Sequence, residues 1–127
     1  MKDFAGWFGI KKRIHESGQY SFFHEGEIWW SALGTNVGFE EDGKNENFER
    51  PVLIFKKFNK EVFWGLPATT KQRSGRYYFN SRELKRPTTI LLSQIRLLDG
   101  KRLLRKMGTL PRHEYLELLE KFRDLLQ

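Results

Sequence analysis

The stretch of sequence that decides the fold is Gly26-Glu27-Ile28-Trp29-Trp30-Ser31-Ala32-Leu33-Gly34. Its aromatic and β-branched residues predict a β-strand. A polar stretch with further glycines follows, and it ends in Glu49-Arg50-Pro51, at the mouth of a second predicted strand that begins Val52-Leu53-Ile54-Phe55. Loops of this length in small domains are usually either functional or disordered. Because strands anchor both of its ends, we interpret residues 34–49 as a functional loop.

The segments around this stretch predict a small, mainly β domain of the α+β class. Apolar residues recur at helical spacing over residues 2–17, before Gly18, and again after Pro111. The strands predicted between them are Glu27–Leu33, Val52–Phe58, Val62–Pro67, Arg76–Asn80, Thr88–Leu92 and Ile95–Leu98. We therefore expect a single domain, in which an N-terminal helical extension (residues 1–24) precedes a curved sheet or barrel with a C-terminal helix (residues 25–127).

The composition excludes several classes of protein. The chain has 127 residues, and its 15% of aromatic residues is too many for a disordered protein. It contains no cysteine, which excludes disulfides and cysteine-based zinc sites, and its histidines lack metal-ligand spacing: His15, His24 and His113. No apolar run reaches the ~18 residues of a membrane span, and the N-terminus is not a signal peptide. We expect a cytoplasmic protein without a metal, cofactor or membrane.

A net charge of +7 favours a polyanionic partner, and one segment combines many of the cations with aromatic residues. Residues 71–86 carry six cations and one acid, with three aromatic residues among them. Single-stranded nucleic acid requires cations for its backbone and rings for its unstacked bases. The residues that we predict to contact RNA are Lys71, Arg73, Arg76, Tyr77, Gln94 and Arg96. A basic protein without a nucleic-acid role, and a Gln94 that satisfies backbone groups, remain open.

Two further residues have the chemistry to hold a phosphate. Arg50 precedes Pro51, so its backbone is extended and its direction is well fixed, and a guanidinium can form two parallel hydrogen bonds with a phosphate. Thr69 ends an apolar strand, where a hydroxyl can bind a phosphate or a ribose hydroxyl. The alternatives are an ion pair of Arg50 with a nearby glutamate and a turn capped by Thr69.

Five short sequence motifs, in their order along the chain, resemble the PemK/MazF toxin family over about residues 25–126. They are Gly26-Glu27-Ile28-Trp29-Trp30 with Gly38-Phe39-Glu40, Arg50-Pro51-Val52-Leu53-Ile54, Leu66-Pro67-Ala68-Thr69-Thr70, Gln94-Ile95-Arg96 and Asp99-Gly100-Lys101-Arg102-Leu103. The resemblance implies an SH3-like barrel that forms a homodimer. It also implies a toxin of a type II toxin–antitoxin system, an endoribonuclease that cuts single-stranded RNA at short sequences, and a cognate antitoxin that blocks the active groove.

The resemblance assigns cleavage to Arg50 and Thr69. Some members place an arginine and an acid where this chain has Leu91 and Ser93, which puts more weight on Arg50 and Thr69. We expect metal-independent cleavage in which the ribose 2′-hydroxyl attacks the neighbouring phosphorus. The sequence does not identify the general base, for which Glu27 and Glu49 are the candidates. An acidic antitoxin segment would bind the same basic surface. A non-catalytic nucleic-acid-binding barrel, and a toxin of the same fold that acts on a protein such as gyrase, are the alternatives.

Overall fold

The structure of the chain is a computed structural model that describes residues 22–33 and 49–127. The predicted N-terminal helix and most of the predicted loop, residues 34–48, lie outside the described residues. The elements are β1 (Glu27–Ala32), β2 (Glu49–Lys57), β3 (Val62–Thr69), β4 (Tyr78–Ser81), β5 (Thr88–Leu91), β6 (Arg96–Asp99), β7 (Leu103–Thr109) and α1 (Arg112–Leu125), with 3₁₀ turns at Leu92–Gln94 and Gly100–Arg102.

The strands form one antiparallel sheet in the order β4-β5-β3-β2-β1-β7, with β6 also paired to β3. The outer edge of β3 is shared, because its first half pairs with β6 and its last two residues pair with β5. Within the described residues β4 and β7 do not pair, so the sheet is not closed into a barrel. The predicted mainly β fold with a C-terminal helix is confirmed, but the closed barrel is wrong. The β4–β5 connection approaches β7, where Leu84 lies near Gly108, but in the described part of the chain no backbone pairing joins the two edges of the sheet.

Alternation along β2 divides the core into two layers. Leu53 points to the face that packs against α1, where Phe55 and Phe122 have ring centroids 4.8 Å apart. We call this the first face, and its buried residues are Ile28, Leu53, Phe55, Leu66, Ala68, Phe79, Ile90, Leu92, Leu110 and Leu118. The opposite, second face buries Phe23, Trp29, Leu33, Val52, Ile54, Phe63, Leu98 and Leu103. The two faces therefore present separate surfaces to ligands.

The sequence predicted most strands but missed β7. The β2–β3 hairpin is confirmed, because the Asn59 side chain accepts hydrogen bonds from the amides of Glu61 (2.7 Å) and Val62 (2.9 Å) in the turn. Strand β7 reads Leu103-Leu104-Arg105-Lys106-Met107-Gly108-Thr109, which does not alternate between apolar and polar residues. It is an edge strand with most residues exposed and two register shifts against β1. The periodicity that marks a half-buried strand is therefore absent from it.

A buried carboxylate fastens α1 to the sheet. Glu114 is fully buried, and it accepts hydrogen bonds from the Ser81 hydroxyl (2.6 Å) and the Arg82 amide (2.8 Å). Burial by itself would raise the pKa of Glu114, but these hydrogen bonds hold the pKa below its ordinary value. The helix therefore depends on an ionised carboxylate at its first turn.

We expect Glu114→Ala to lower the free energy of unfolding by about 2 kcal/mol, because it removes two hydrogen bonds to a charged acceptor. The control is Glu117→Ala on the same helix, where a half-exposed carboxylate pairs with Arg82 at 3.1 Å and contributes less than about 1 kcal/mol. Urea unfolding measures both.

Since the pKa of Glu114 is lowered in the folded state, the stability that Glu114 contributes is present above its ordinary pKa of 4.5 and is lost as the pH falls through the folded value. Equal stability of the two variants at neutral pH would contradict this role.

Candidate functional site

A row of polar side chains crosses five strands on the second face, at the end of the sheet where β1 leads into residues 34–48. Ser31 of β1 pairs with Arg50 of β2, and Thr69 of β3 pairs with Thr89 of β5, which in turn pairs with Asn80 of β4. Residues directly opposite each other in antiparallel strands lie on the same face. The polar row therefore consists of Ser31, Arg50, Thr69, Thr89 and Asn80.

The register between β2 and β3 brings the two predicted cleavage residues together. The pairing of β2 with β3 reaches Val52 and Pro67, and continuing this register by two residues along each strand brings Arg50 opposite Thr69. Arg50 is 2% exposed and Thr69 is 4% exposed. The two residues thus lie side by side at the margin of the second-face core.

The Thr69 hydroxyl also shapes the chain that follows it. Its oxygen accepts a hydrogen bond from the amide of Lys71 at 3.2 Å, so the local turn that the sequence left open does form. A hydroxyl that accepts one hydrogen bond retains its hydrogen for donation to a second partner. The capping and binding roles of Thr69 are therefore compatible.

Two more guanidinium groups belong to the second face. Arg96 pairs with Gly65 across β6 and β3, next to Leu98 of the second-face core. Arg102 lies at the end of β1, where its Nη1 donates to the carbonyl of Ala32 at 3.1 Å. Burial lowers the pKa of Arg102, and the positive charge of Arg96 lowers it further. In the sequence, Arg102 stood out only as part of a family motif, because no neighbouring residue indicated that it would contact β1.

The remaining predicted RNA contacts surround this row. Lys71, Arg73, Arg76 and Tyr77 lie in the connection from β3 to β4, which begins directly after Thr69 and is exposed throughout. The Tyr77 ring is half exposed, at 51%. Gln94 is partly buried in the 3₁₀ turn that separates β5 from β6. The structure therefore places four of these residues on one exposed segment beside Thr69.

Glu27 does not lie near Arg50 and Thr69. It begins β1, four residues before Ser31, which corresponds to about 13 Å along the strand. Its carboxylate accepts hydrogen bonds from the Trp29 indole (3.0 Å) and the His24 amide (2.9 Å), and it pairs with Lys106 at 3.1 Å. Burial would raise the pKa of Glu27, but these contacts hold the pKa below its ordinary value. An ionised carboxylate with several partners is a structural anchor here.

Glu49 is adjacent to Arg50 in sequence but points to the other face. Successive side chains of a strand alternate, so Glu49 lies on the first face with Leu53. It is 4% exposed and pairs with Arg105 at 2.8 Å, and this hydrogen bond raises the pKa of Arg105. The Arg105 guanidinium also lies over the Trp30 ring, 5.2 Å from its centroid. The structure therefore brings neither predicted general base to the polar row.

The described residues contain no arrangement typical of a metal site. Within residues 22–33 and 49–127, no group of three histidine, aspartate or glutamate side chains could hold a metal ion. His24 contacts Glu27, and His113 contacts Glu83, both at the surface. In the same part of the chain no helix is sufficiently long and apolar for a membrane span.

Comparison with known proteins identifies the relatives of this fold. Residues 24–126 match the family model described as the PemK-like, MazF-like toxin of type II toxin–antitoxin systems. The structure is similar to MazF from Deinococcus radiodurans, with a TM-score of 0.66 and 18% identity over 86% of this chain and 98% of that one. It is also similar to the Mycobacterium tuberculosis toxin MazF-mt6, with a TM-score of 0.58 and 18% identity over 77% and 93% of the two chains.

A third similar structure is a mycobacterial endoribonuclease in complex with its cognate antitoxin. Its TM-score is 0.61, and its identity is 12% over 80% of this chain and 92% of that one. The search of curated proteins found no match. At these identities the solved structures establish the fold, and the match of the family model establishes the relationship.

Proposed function

The chain belongs to the PemK-like, MazF-like toxins of type II toxin–antitoxin systems, and from this premise we propose that it is an endoribonuclease that cleaves single-stranded RNA. The observation that supports this proposal is the cross-strand register that places Arg50 opposite Thr69 in the polar row. A cation and a hydroxyl side by side are the groups that an RNA phosphodiester requires. The exposed, basic segment after Thr69 provides contacts for the strand on either side of the cut.

Cleavage in this proposal uses the substrate's own 2′-hydroxyl as the nucleophile. The 2′-oxygen attacks the phosphorus, the bond from phosphorus to the 5′-oxygen breaks, and the products are a 2′,3′-cyclic phosphate and a 5′-hydroxyl. Glu27 lies about 13 Å along β1 from Ser31 and Glu49 points to the first face, so in this proposal the proton of the 2′-hydroxyl passes to water and the leaving oxygen takes a proton from water. The protein contributes alignment and charge stabilisation.

Arg50 stabilises the charge that develops on the phosphate. Its guanidinium retains its proton at any relevant pH, so it acts as a hydrogen-bond donor and a cation rather than as a base. Arg50 is only 2% exposed, so its guanidinium is shielded from water. Electrostatic interactions at such a buried position are stronger than at an exposed surface. Arg96 and Arg102 add positive charge to the same face, and in this proposal the RNA backbone follows these guanidinium groups.

Thr69 positions the reacting groups. Its oxygen is held by the Lys71 amide, so the direction of its hydroxyl hydrogen is restricted. Donation to a non-bridging phosphate oxygen or to the 2′-oxygen would fix the in-line geometry that the reaction requires. The cations Lys71, Arg73 and Arg76 bind the flanking phosphates, with Tyr77 and Gln94 available to the bases.

The proposal includes partners and a location. A mycobacterial neighbour is an endoribonuclease in complex with its cognate antitoxin, and a MazE–MazF complex from Deinococcus radiodurans has the same fold. We propose that this chain acts in the cytoplasm as a two-fold homodimer. An acidic segment of a cognate antitoxin would occupy the same basic surface as RNA and so inhibit cleavage.

We expect Arg50→Met to reduce kcat by about 10²–10³, because it removes a charge-stabilising donor and retains most of the side-chain volume. Arg50→Lys keeps the charge but loses the two-pronged geometry, so its activity should lie between those of Arg50→Met and the wild type. The assay is cleavage of a fluorescent single-stranded RNA, with circular dichroism to verify folding. A folded and fully active Arg50→Met protein would refute the assignment. Toxicity that persists without cleavage would instead indicate a protein target such as gyrase.

A matched pair of threonine variants tests the role of Thr69. Thr69→Val preserves shape and burial but removes the hydroxyl, and we expect kcat to fall on the order of 10–10² because alignment is lost. Thr70→Val alters the next residue, which is exposed and points to the opposite face, and should cleave like the wild type. Thr69→Ser should retain most activity. Equal loss in Thr69→Val and Thr70→Val would mean that the turn, rather than the hydroxyl, is required.

Cleavage should continue unchanged in excess EDTA, because the proposed chemistry uses a ribose hydroxyl, an arginine and a threonine. The measurement is the initial rate with and without chelator, followed by identification of the fragment ends. Cyclic phosphate ends are expected. A rate that collapses in EDTA and returns with magnesium would contradict the internal-nucleophile route.

A further inference from the structure

Asn80 connects the polar row to the basic segment that follows Thr69. Its side-chain oxygen accepts a hydrogen bond from the Thr89 hydroxyl, and its side-chain nitrogen donates to the carbonyl of Arg73 at 2.9 Å. Both ends of the amide are therefore engaged, which fixes its orientation. Because Thr89 pairs with Thr69, this chain of contacts begins one strand away from the proposed cleavage residues.

The segment that Asn80 holds is the connection from β3 to β4, residues 70–77, which we call the basic loop. Its first turn is closed by the Thr69 hydroxyl on the Lys71 amide. Its far end is held by Lys121 of α1, which donates to the carbonyls of Gly75 (3.1 Å) and Tyr78. Gly75 has a φ of +128°, which restricts this position to glycine. Asn80 supports the middle of the loop, between these two ends.

We propose that Asn80 is a positioning residue that determines how tightly RNA is held beside the cleavage residues. By fixing the Arg73 carbonyl against the sheet, it keeps the cations of the basic loop next to Arg50 and Thr69. A loop that is ordered before binding loses less conformational entropy when RNA binds, and this gives higher affinity. The inference rests on the proposed function and adds a determinant of substrate binding to it.

The surroundings of Asn80 distinguish it from an asparagine that only stabilises the fold. It lies on the four-residue edge strand β4 and is partly exposed, outside both layers of the core. Its contacts reach another strand and a loop seven residues earlier in the chain. Asn59 provides the comparison, because its side chain caps only its own hairpin turn. Removal of Asn59 should change stability, whereas removal of Asn80 should change substrate binding.

The experiment compares Asn80→Ala, Thr89→Val and Thr89→Ser with Asn59→Ala as the control. We expect Asn80→Ala to raise the KM for single-stranded RNA about tenfold, with little change in kcat, because the loop must then be ordered on binding. Thr89→Val should act in the same direction, and Thr89→Ser should retain wild-type KM because it keeps the hydroxyl. Asn59→Ala should lower the melting temperature and leave KM unchanged.

A second readout does not depend on cleavage. The basic loop contains three sites for trypsin, after Lys71, Arg73 and Arg76. In Asn80→Ala and Thr89→Val, cutting at these sites should be faster than in the wild type, and in Asn59→Ala it should be unchanged. If Asn80→Ala fails to fold, Thr89→Val and Thr89→Ser provide the same comparison.

The two readouts separate this inference from the proposed function. A wild type that cuts no RNA would refute the nuclease proposal, while faster proteolysis of Asn80→Ala would still show that the loop depends on Asn80. A wild type that cuts RNA, with unchanged KM and unchanged proteolysis in Asn80→Ala, would overturn the inference alone. An equal fall in kcat and an equal rise in KM in Asn80→Ala and Asn59→Ala would also overturn it, because both effects would then be structural.

Discussion

The cross-strand register of β2 is the constraint on which the site depends. Strand β2 pairs with β1 on one side and β3 on the other, and these two registers place Arg50 in line with Ser31 and Thr69. A shift of one residue would turn Arg50 to the first face and bring Glu49 to the polar row. The buried residues Val52 and Ile54 prevent that shift, because they would have to exchange places with Leu53 and Phe55. Apolar packing thus fixes the position of a charged group.

The two-layer core explains why a charged site can lie at the margin of a small sheet. The first face is covered by α1, and the second face buries a separate cluster that includes Phe23 and Trp29. A close approach at Gly65 tightens the second layer, since an added Cβ would lie 2.6 Å from Val52 and 2.9 Å from Leu98. A tightly packed layer beneath Arg50 restricts the orientation of its guanidinium, which is what the proposed charge stabilisation of a phosphate requires.

Much of this arrangement could be predicted from local sequence, and the rest depends on tertiary contacts. The Arg50-Pro51 pair and the hydroxyls after Leu66 carry their chemistry in their own residue types, so the sequence alone nominates them as candidate site residues. The closed barrel was wrong because pairing between the edge strands β4 and β7 is a tertiary property that the hydrophobic pattern does not determine. Strand β7 has no clear alternation, and the contact of Arg102 with β1 joins residues seventy positions apart. The sequence did not show that Trp29 and Lys106 hold the Glu27 carboxylate, because these partners converge on it only after folding.

The two strands that carry Ser31 and Arg50 also carry two carboxylates, whose charges are balanced within the sheet. Glu27 and Glu49 flank the β1–β2 pair, and β7 supplies a cation to each, Lys106 at 3.1 Å and Arg105 at 2.8 Å. Neutralised in this way, they subtract little from the positive potential of the second face. The edge strand β7, which the sequence did not reveal, therefore also balances the charge of two glutamates on the strands that carry Ser31 and Arg50.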